Sequence, residues 1–170
     1  MKDDKNGMNP EIDCRNVTVS AAGPEDLEEI LELQKTAFMS EARRINDYSI
    51  PPLRQTLHEI CDEFGHSAFL KAAAGTRIVG SVRAELRGET CVIKKLIVHP
   101  DCQNRGIGSL LLSEIEQMFP GTRKFELFTG KESKRNHEFY TCRGYTPFKE
   151  ERITENLVLV YFEKCRRPWP

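Results

Sequence analysis

Apolar residues recur along this chain with two different periods, and the changes from one to the other divide it into elements. Val17 and Val19 alternate with polar neighbours across residues 16–21, the spacing of a half-buried strand. Gly23-Pro24-Glu25-Asp26 predicts a helix start, with proline in the first turn and two acids beside the positive end. Leu27, Ile30, Leu31, Ala37 and Phe38 then share one helical face. Residues 43–55 show neither period. Within them Ile50-Pro51-Pro52-Leu53 predicts an extended loop, because proline lacks an N–H and restricts the residue before it. Residues 56–64 predict a second, short helix stopped by Gly65.

Alternation returns in residues 67–74 and 77–87, which predict two antiparallel strands joined at Gly75-Thr76, and again in 90–98 after a turn at Gly88-Glu89. Residues 106–119 carry the clearest helix. Ile107, Leu110, Leu111, Ile115, Met118 and Phe119 stand at i, i+3, i+4, i+8, i+11 and i+12, one continuous stripe, and Pro120-Gly121 ends it. A strand over 124–129 follows. Ser133 is placed to cap a helix running to Cys142, with Gly144 just beyond its end. Residues 146–153 and 156–164 read as two last strands. This order predicts an α/β fold: a mixed, mainly antiparallel central sheet of about seven strands with about four helices on its faces.

A chain of 170 residues suits one domain, assigned to 16–165, with polar tails at 1–15 and 166–170, the latter holding Trp169. The formal charge of −1, with acids and bases interleaved, argues against a nucleic-acid partner. The longest apolar run, 157–162, is far too short to span a bilayer, and the polar N-terminus lacks the apolar block of a secretory signal. The expected location is therefore cytoplasmic, with no membrane partner. The six cysteines form no C-x-x-C pair and are expected to be free thiols, and His58, His66 and His137 lack metal spacing, so no metal is expected.

Candidate chemistry concentrates where the strand 90–98 runs through His99-Pro100-Asp101-Cys102 into Gln103-Asn104-Arg105-Gly106-Ile107-Gly108. A dinucleotide-binding fingerprint needs a third glycine at position 111, which is Leu111, and a Walker loop needs Gly-Lys-Ser/Thr where Gly108-Ser109-Leu110 stands. The remaining pattern, Gln-x-x-Gly-x-Gly at a strand-to-helix turn, suits a phosphate. Glycine removes bulk, the N–H groups from 104 to 109 lie at the positive helix end, and Arg105 adds charge. The same glycines also suit a tight turn that merely packs the helix on the sheet.

This turn, with Val98-His99-Pro100 before it, resembles the central motif of the GNAT superfamily of acyl-CoA N-acyltransferases. A second block, Ser133 to Tyr145, resembles the later helix of that family, which ends in Phe-Tyr-x-x-x-Gly-Tyr. The resemblance implies acetyl-CoA as cofactor. Gln103, Asn104, Arg105, Gly106, Ile107, Gly108 and Ser109 would hold its pyrophosphate. Leu96, Ile97 and Val98, splayed from residues 124–129, would bind pantetheine as an added strand would. Ser133 stands where many members have a cofactor-facing Asn, with Asn136 one turn later as its substitute.

Tyr140 matches the family's general acid, which would protonate the departing thiolate after an amine attacks the thioester, although it also fits simple packing beside Phe139. A main-chain N–H near Ile97 or Val98 would meet the oxyanion. Some members carry the base on the strand 90–98, at a position that aligns with apolar Val92. Glu85, on the Ser81–Arg83–Glu85 face, is the substitute, or else a solvated strand glutamate. Residues 43–55, with Tyr48, occupy the chain position that covers the acceptor cleft in this family, and are either a substrate-gating loop or an ordinary connection. The implied activity is N-acetyl transfer to a primary amine, on a small molecule or peptide. A non-catalytic acyl-CoA-binding or regulatory module is the alternative. The strands after Tyr145 are free to pair between subunits as a homodimer.

Overall fold

The computed structural model describes residues 12–166. Seven strands form one sheet: β1 (Val17–Ala21), β2 (Ala68–Ala74), β3 (Arg77–Arg87), β4 (Thr90–Val98), β5 (Lys124–Gly130), β6 (Thr146–Arg152) and β7 (Val158–Cys165). Their order across the sheet is β1-β2-β3-β4-β5-β7-β6, with β4 and β5 the one parallel pair and every other neighbour antiparallel. The expected α/β architecture is what the chain adopts, and β3 and β4 have the bounds that their alternation predicts.

Five helices cover the sheet: α1 (Leu27–Ile45), α2 (Pro51–Arg54), α3 (Leu57–Phe64), α4 (Ile107–Gln117) and α5 (Lys134–Thr141). Leu27, Ile30 and Leu31 of α1 and Ile60 of α3 pack on Phe69, Ile78 and Ile97 at one face. Ile107, Leu111, Leu112 and Ile115 of α4 and Tyr140 of α5 pack on Leu70, Val79, Val82, Ile93 and Phe125 at the other. The period-2 alternation of the strands thus feeds two cores rather than one.

Four expectations are corrected. Pro51 opens α2 rather than forbidding helix, because a first-turn residue needs neither its N–H nor freedom in φ. α1 continues through Arg43 to Ile45 into the segment expected to be irregular, and closes on Asn46 in the left-handed region (φ 52°). Cys14 and Cys102, expected to be free thiols, are joined in a disulfide that spans 88 residues of sequence. Spacing along the chain says nothing about such a pairing. Cys14 and its neighbour Ile12 pack against the larger core, so residues 12–15 are not all tail. Residues 1–11 and 167–170, with Trp169, lie outside the described residues.

Gly80 sets how closely α4 approaches the sheet. A Cβ there would stand 2.9 Å from Leu111 Cδ1, 3.1 Å from Ile107 Cγ2 and 3.2 Å from the Ile97 carbonyl. Gly80→Val should therefore lower unfolding free energy by about 1–3 kcal/mol, whereas Gly121→Ala, with open space around its Cβ, should be neutral or slightly stabilising. Urea unfolding of the two variants beside the wild type checks both.

Candidate active site

After β4, a short 3-10 turn (Pro100–Cys102) leads into residues that no regular element could hold. Asn104 (φ 62°) and Gly106 (φ 81°) are both left-handed, and α4 starts immediately after. This conformation aims successive main-chain N–H groups to one side, and the first turn of α4 has no intrahelical acceptor for its own. A Cβ on Gly106 would project into open space at this concavity, while one on Gly108 would touch the Phe139 ring at 3.5 Å. Glycine keeps the first position clear and brings α5 close at the second.

Two arginines of the second sequence block tie α5 to this turn. Arg135 donates to Gln103 Oε1 at 2.8 Å and to Asn104 Oδ1 at 2.7 Å. Arg143 lies on the Phe139 ring, 3.6 Å from its centroid, and donates to the Phe139 carbonyl and to Ser109 Oγ. Two guanidinium groups of α5 thus stand against the turn, and Arg105 lies within it in sequence. Arg135 and Arg143 were not singled out from sequence, because helical spacing alone does not bring α5 beside α4.

The cleft next to the turn arises from the sheet. β4 and β5 pair only at Thr90–Lys124, Cys91–Phe125 and Val92–Glu126, and then part. β4 continues along β3 as far as Val98 opposite Gly80, and β5 continues along β7 as far as Gly130 opposite Leu159. Leu96, Ile97 and Val98 therefore have a partner strand on one side only. The Gln103 side chain turns back to donate to the Val98 carbonyl at 3.3 Å. A cavity of about 200 Å³ opens at the fork, lined by Val92, Lys94, Glu126, Leu127, Phe128, Tyr161 and Arg87.

α5 caps the β5 side. Asn136 Nδ2 donates to Thr129 Oγ1 at 3.0 Å, and His137 Nε2 lies 3.1 Å from the Gly130 carbonyl. Ser133 occupies the N-cap position and is buried, but its side chain makes no cap hydrogen bond. Tyr140 is buried among Phe139, Tyr145 and Phe162, and no hydrogen bond reaches its hydroxyl among the described residues. Burial pushes its pKa up to about 12, against a smaller opposing effect of Arg143. Glu85 stands opposite Val92 in the β3–β4 ladder and pairs with Lys94 at 2.9 Å and with Arg87. Burial raises its pKa, but the two cations outweigh burial and hold the carboxyl below its ordinary range. That makes it a weak base.

The family model of the acetyltransferase (GNAT) family matches residues 27–145, which include the turn, the cleft and α5. The chain belongs to the GNAT family. A Bacillus subtilis (strain 168) relative, UPF0157 protein YqkA, is 26% identical over 134 residues, 79% of this chain, and the chain spans only 38% of that relative's length. Among solved structures, the fold is similar to PaiA N-acetyltransferase from Thermoplasma acidophilum in complex with coenzyme A (TM-score 0.69, 20% identity, 89% of this chain and 99% of that one). It is also similar to the ribosomal-protein-S18-alanine N-acetyltransferase of Escherichia coli (TM-score 0.73, 14% identity, 88% and 94%). At these identities the two structures show the shared GNAT fold.

The last tyrosine of the second GNAT block is structural. Tyr145 is fully buried and donates to Glu116 Oε1 at 2.6 Å, and Lys164 holds the other carboxylate oxygen at 2.7 Å. Tyr145→Phe should destabilise the protein by about 1–3 kcal/mol by leaving a buried acceptor short of one donor. Tyr140→Phe removes a hydroxyl with no partner and should change stability by less than about 0.5 kcal/mol. Thermal unfolding of the pair tests the contrast.

Proposed function

We propose that this protein transfers an acetyl group from acetyl-CoA to a primary amine by direct attack of the amine on the thioester. The observation that carries this reading is the junction of two features. A concavity of main-chain N–H groups, bordered by Arg135 and Arg143 and containing Arg105 in its turn, opens beside a β4 edge that has lost its neighbour. The residues present fit the group: Gly106 leaves room where a diphosphate would sit, and residues 103–109 would hold it. The free edges of Leu96, Ile97 and Val98 suit the amides of pantetheine. Ser133 and Asn136 stand at the far wall, Asn136 already committed to Thr129.

When bound, acetyl-CoA supplies an activated acyl carbonyl and a thiol leaving group. The chain's own groups supply the rest. A main-chain N–H at Ile97 or Val98 would face the developing oxyanion. Tyr140 would hold a proton on its hydroxyl for the departing sulfur. Because its pKa is about 12 against roughly 8.5 for a thiol, delivery must accompany C–S cleavage rather than follow it. Glu85, kept ionised by Lys94 and Arg87, is assigned to orient an incoming ammonium and to pass its proton to solvent rather than to keep it.

One observation favours the alternative, a non-catalytic acyl-CoA-binding module. The carboxylate that lines the cavity, Glu126, is already paired with Lys124 at 2.6 Å, and Glu85 beside it is paired with the cavity's Lys94 and Arg87. Incubation with acetyl-CoA and a panel of amines, with free coenzyme A quantified by chromatography, decides between them. Amine-dependent release supports the transferase. Thermal stabilisation by acetyl-CoA without release supports the module, and the absence of both stabilisation and release overturns the coenzyme A reading.

In the transferase, Tyr140→Phe should lower kcat by roughly 10²–10⁴-fold. Its dissociation constant for coenzyme A should stay within about twofold of wild type, since a hydroxyl with no partner contributes little to binding. The wild-type rate should rise with pH as the acceptor amine loses its proton near its pKa of about 10. With Tyr140 raised to about 12 its proton-donating form persists, so no alkaline fall should appear below about pH 11. An alkaline fall that persists in Tyr140→Phe would remove Tyr140 from the role.

A further inference from the structure

The face of the sheet beneath α1 and α3 carries buried charge that packing alone does not require. Arg83 of β3 is only 1% exposed. It donates to Glu63 Oε2 at 2.6 Å, Gln34 Oε1 at 2.6 Å and Gln55 Oε1 at 3.2 Å, and its Nε has no partner. Lys95 reaches the same group, 3.2 Å from Gln55 Oε1 and 3.7 Å from Glu63 Oε2. Two cations thus share one carboxylate. The neighbouring cluster repeats the imbalance, with Lys94 and Arg87 on Glu85. The other carboxylates close by are engaged elsewhere, Glu59 in capping α3 through Thr56 and Glu126 with Lys124.

Lys95 is also held in an uncommon backbone state. Between the pairs Ser81–Ile97 and Arg83–Lys94, the residues Lys95 and Leu96 stand opposite Val82 alone, which makes a β-bulge. Lys95 is left-handed there (φ 49°). A long side chain in that region costs stability and persists where the surroundings impose it, most often at functional sites. The bulge turns Lys95 toward Gln55 and Glu63 on the α1 and α3 face, one residue after Lys94 of the cavity wall and one before Leu96. The ammonium is not sealed in, since its side chain keeps 21% of its exposure. Gln55 accepts one of its three N–H bonds and the Glu63 carboxylate lies near another.

We propose that the acceptor amine carries a carboxylate, as in an amino acid, and that Lys95 on the β4 bulge binds that carboxylate with Arg83 and Lys94 behind it. This rests on the acyltransferase reading above. An incoming carboxylate supplies the anion that the cluster lacks, and it does so beside Leu96 and Ile97, where the acyl group would lie. Burial and the charge of Arg83 lower the pKa of Lys95, against the pull of Glu63, and a second anion opposes that lowering. The segment before α3 contributes directly: Gln55 and the Pro52 carbonyl are both bonded to buried Gln34, so the recognition group is preassembled.

The test compares the twenty amino acids with their amides and their decarboxylated amines, using coenzyme A release by the full chain. At least one free acid should exceed both its amide and its amine in kcat/KM by roughly 10–100-fold, the scale of a hydrogen-bonded charge pair. Lys95→Met should collapse that preference through KM, and Lys95→Arg should restore part of it. Equal use of acid, amide and amine by the wild type overturns the proposal and leaves the transferase standing. If no amine releases coenzyme A, calorimetry of the same acids with the coenzyme A-bound protein separates the two. Binding that Lys95→Met abolishes upholds the carboxylate site while the transferase fails, and no binding of any acid overturns the site as well.

Discussion

The parting of β4 from β5 after the Val92–Glu126 pair is the constraint on which the rest of this structure depends. Two parallel strands that begin in register would ordinarily go on pairing, since each unpaired main-chain group away from water costs free energy. Here each strand is secured on its outer side instead. β5 pairs with β7 over its whole length, and β4 returns to β3 beyond the bulge. The bulge adds a residue to β4 and turns its end away. Gly80 lets α4 press against that end from one face, while the Arg83 cluster fastens it to α1 and α3 on the other.

With the fork fixed, the remaining parts are positioned by short links. α4 must start where β4 ends, and the left-handed Asn104 and Gly106 make the reversal that places its N-terminus at the mouth of the cleft. α5 belongs to the β5 side through Asn136 and His137, and to the turn through Arg135 and Arg143. The same helix thus spans both banks of the opening. It carries Tyr140 on its buried face, where the aromatic wall of Phe139, Tyr145 and Phe162 sets the ring position without any hydrogen bond to the hydroxyl.

Much of this was legible in the sequence where a local rule acts alone. The alternation of residues 77–87 and 90–98 and the stripe from Ile107 gave elements that the structure holds within a residue or two. The Gln103–Gly108 pattern marked the turn, because left-handed backbone at Gly106 is a demand that glycine meets. What escaped was set by contacts between distant elements. Pro51 suits a first helical turn as well as a loop, and the contact that holds this segment, Gln34 to the Pro52 carbonyl, joins residues eighteen positions apart. The pairing of Cys14 with Cys102 follows from the path of the first residues over the larger core. Glu85 stood on the expected face, yet its strength as a base depended on Lys94 across the ladder and Arg87 two residues on.

The Arg83 cluster escaped for the same reason and has the most to say about function. Its members come from α1, the segment before α3, α3 itself, β3 and β4, so no spacing along the chain announces them. Replacing a buried charge network by apolar residues of similar volume is often neutral or stabilising, so stability alone is a weak reason for one. This network instead has two properties that stability does not ask for. It leaves a guanidinium nitrogen unpartnered at nearly complete burial, and it brings a second cation to a carboxylate already taken. The first lies too deep for any ligand to reach, but the surplus cation, Lys95, keeps part of its exposure and would be balanced by an anion. The same bulge that separates β4 from β5 is what presents Lys95 to it, so the opening of the sheet and the choice of what enters it share one piece of backbone.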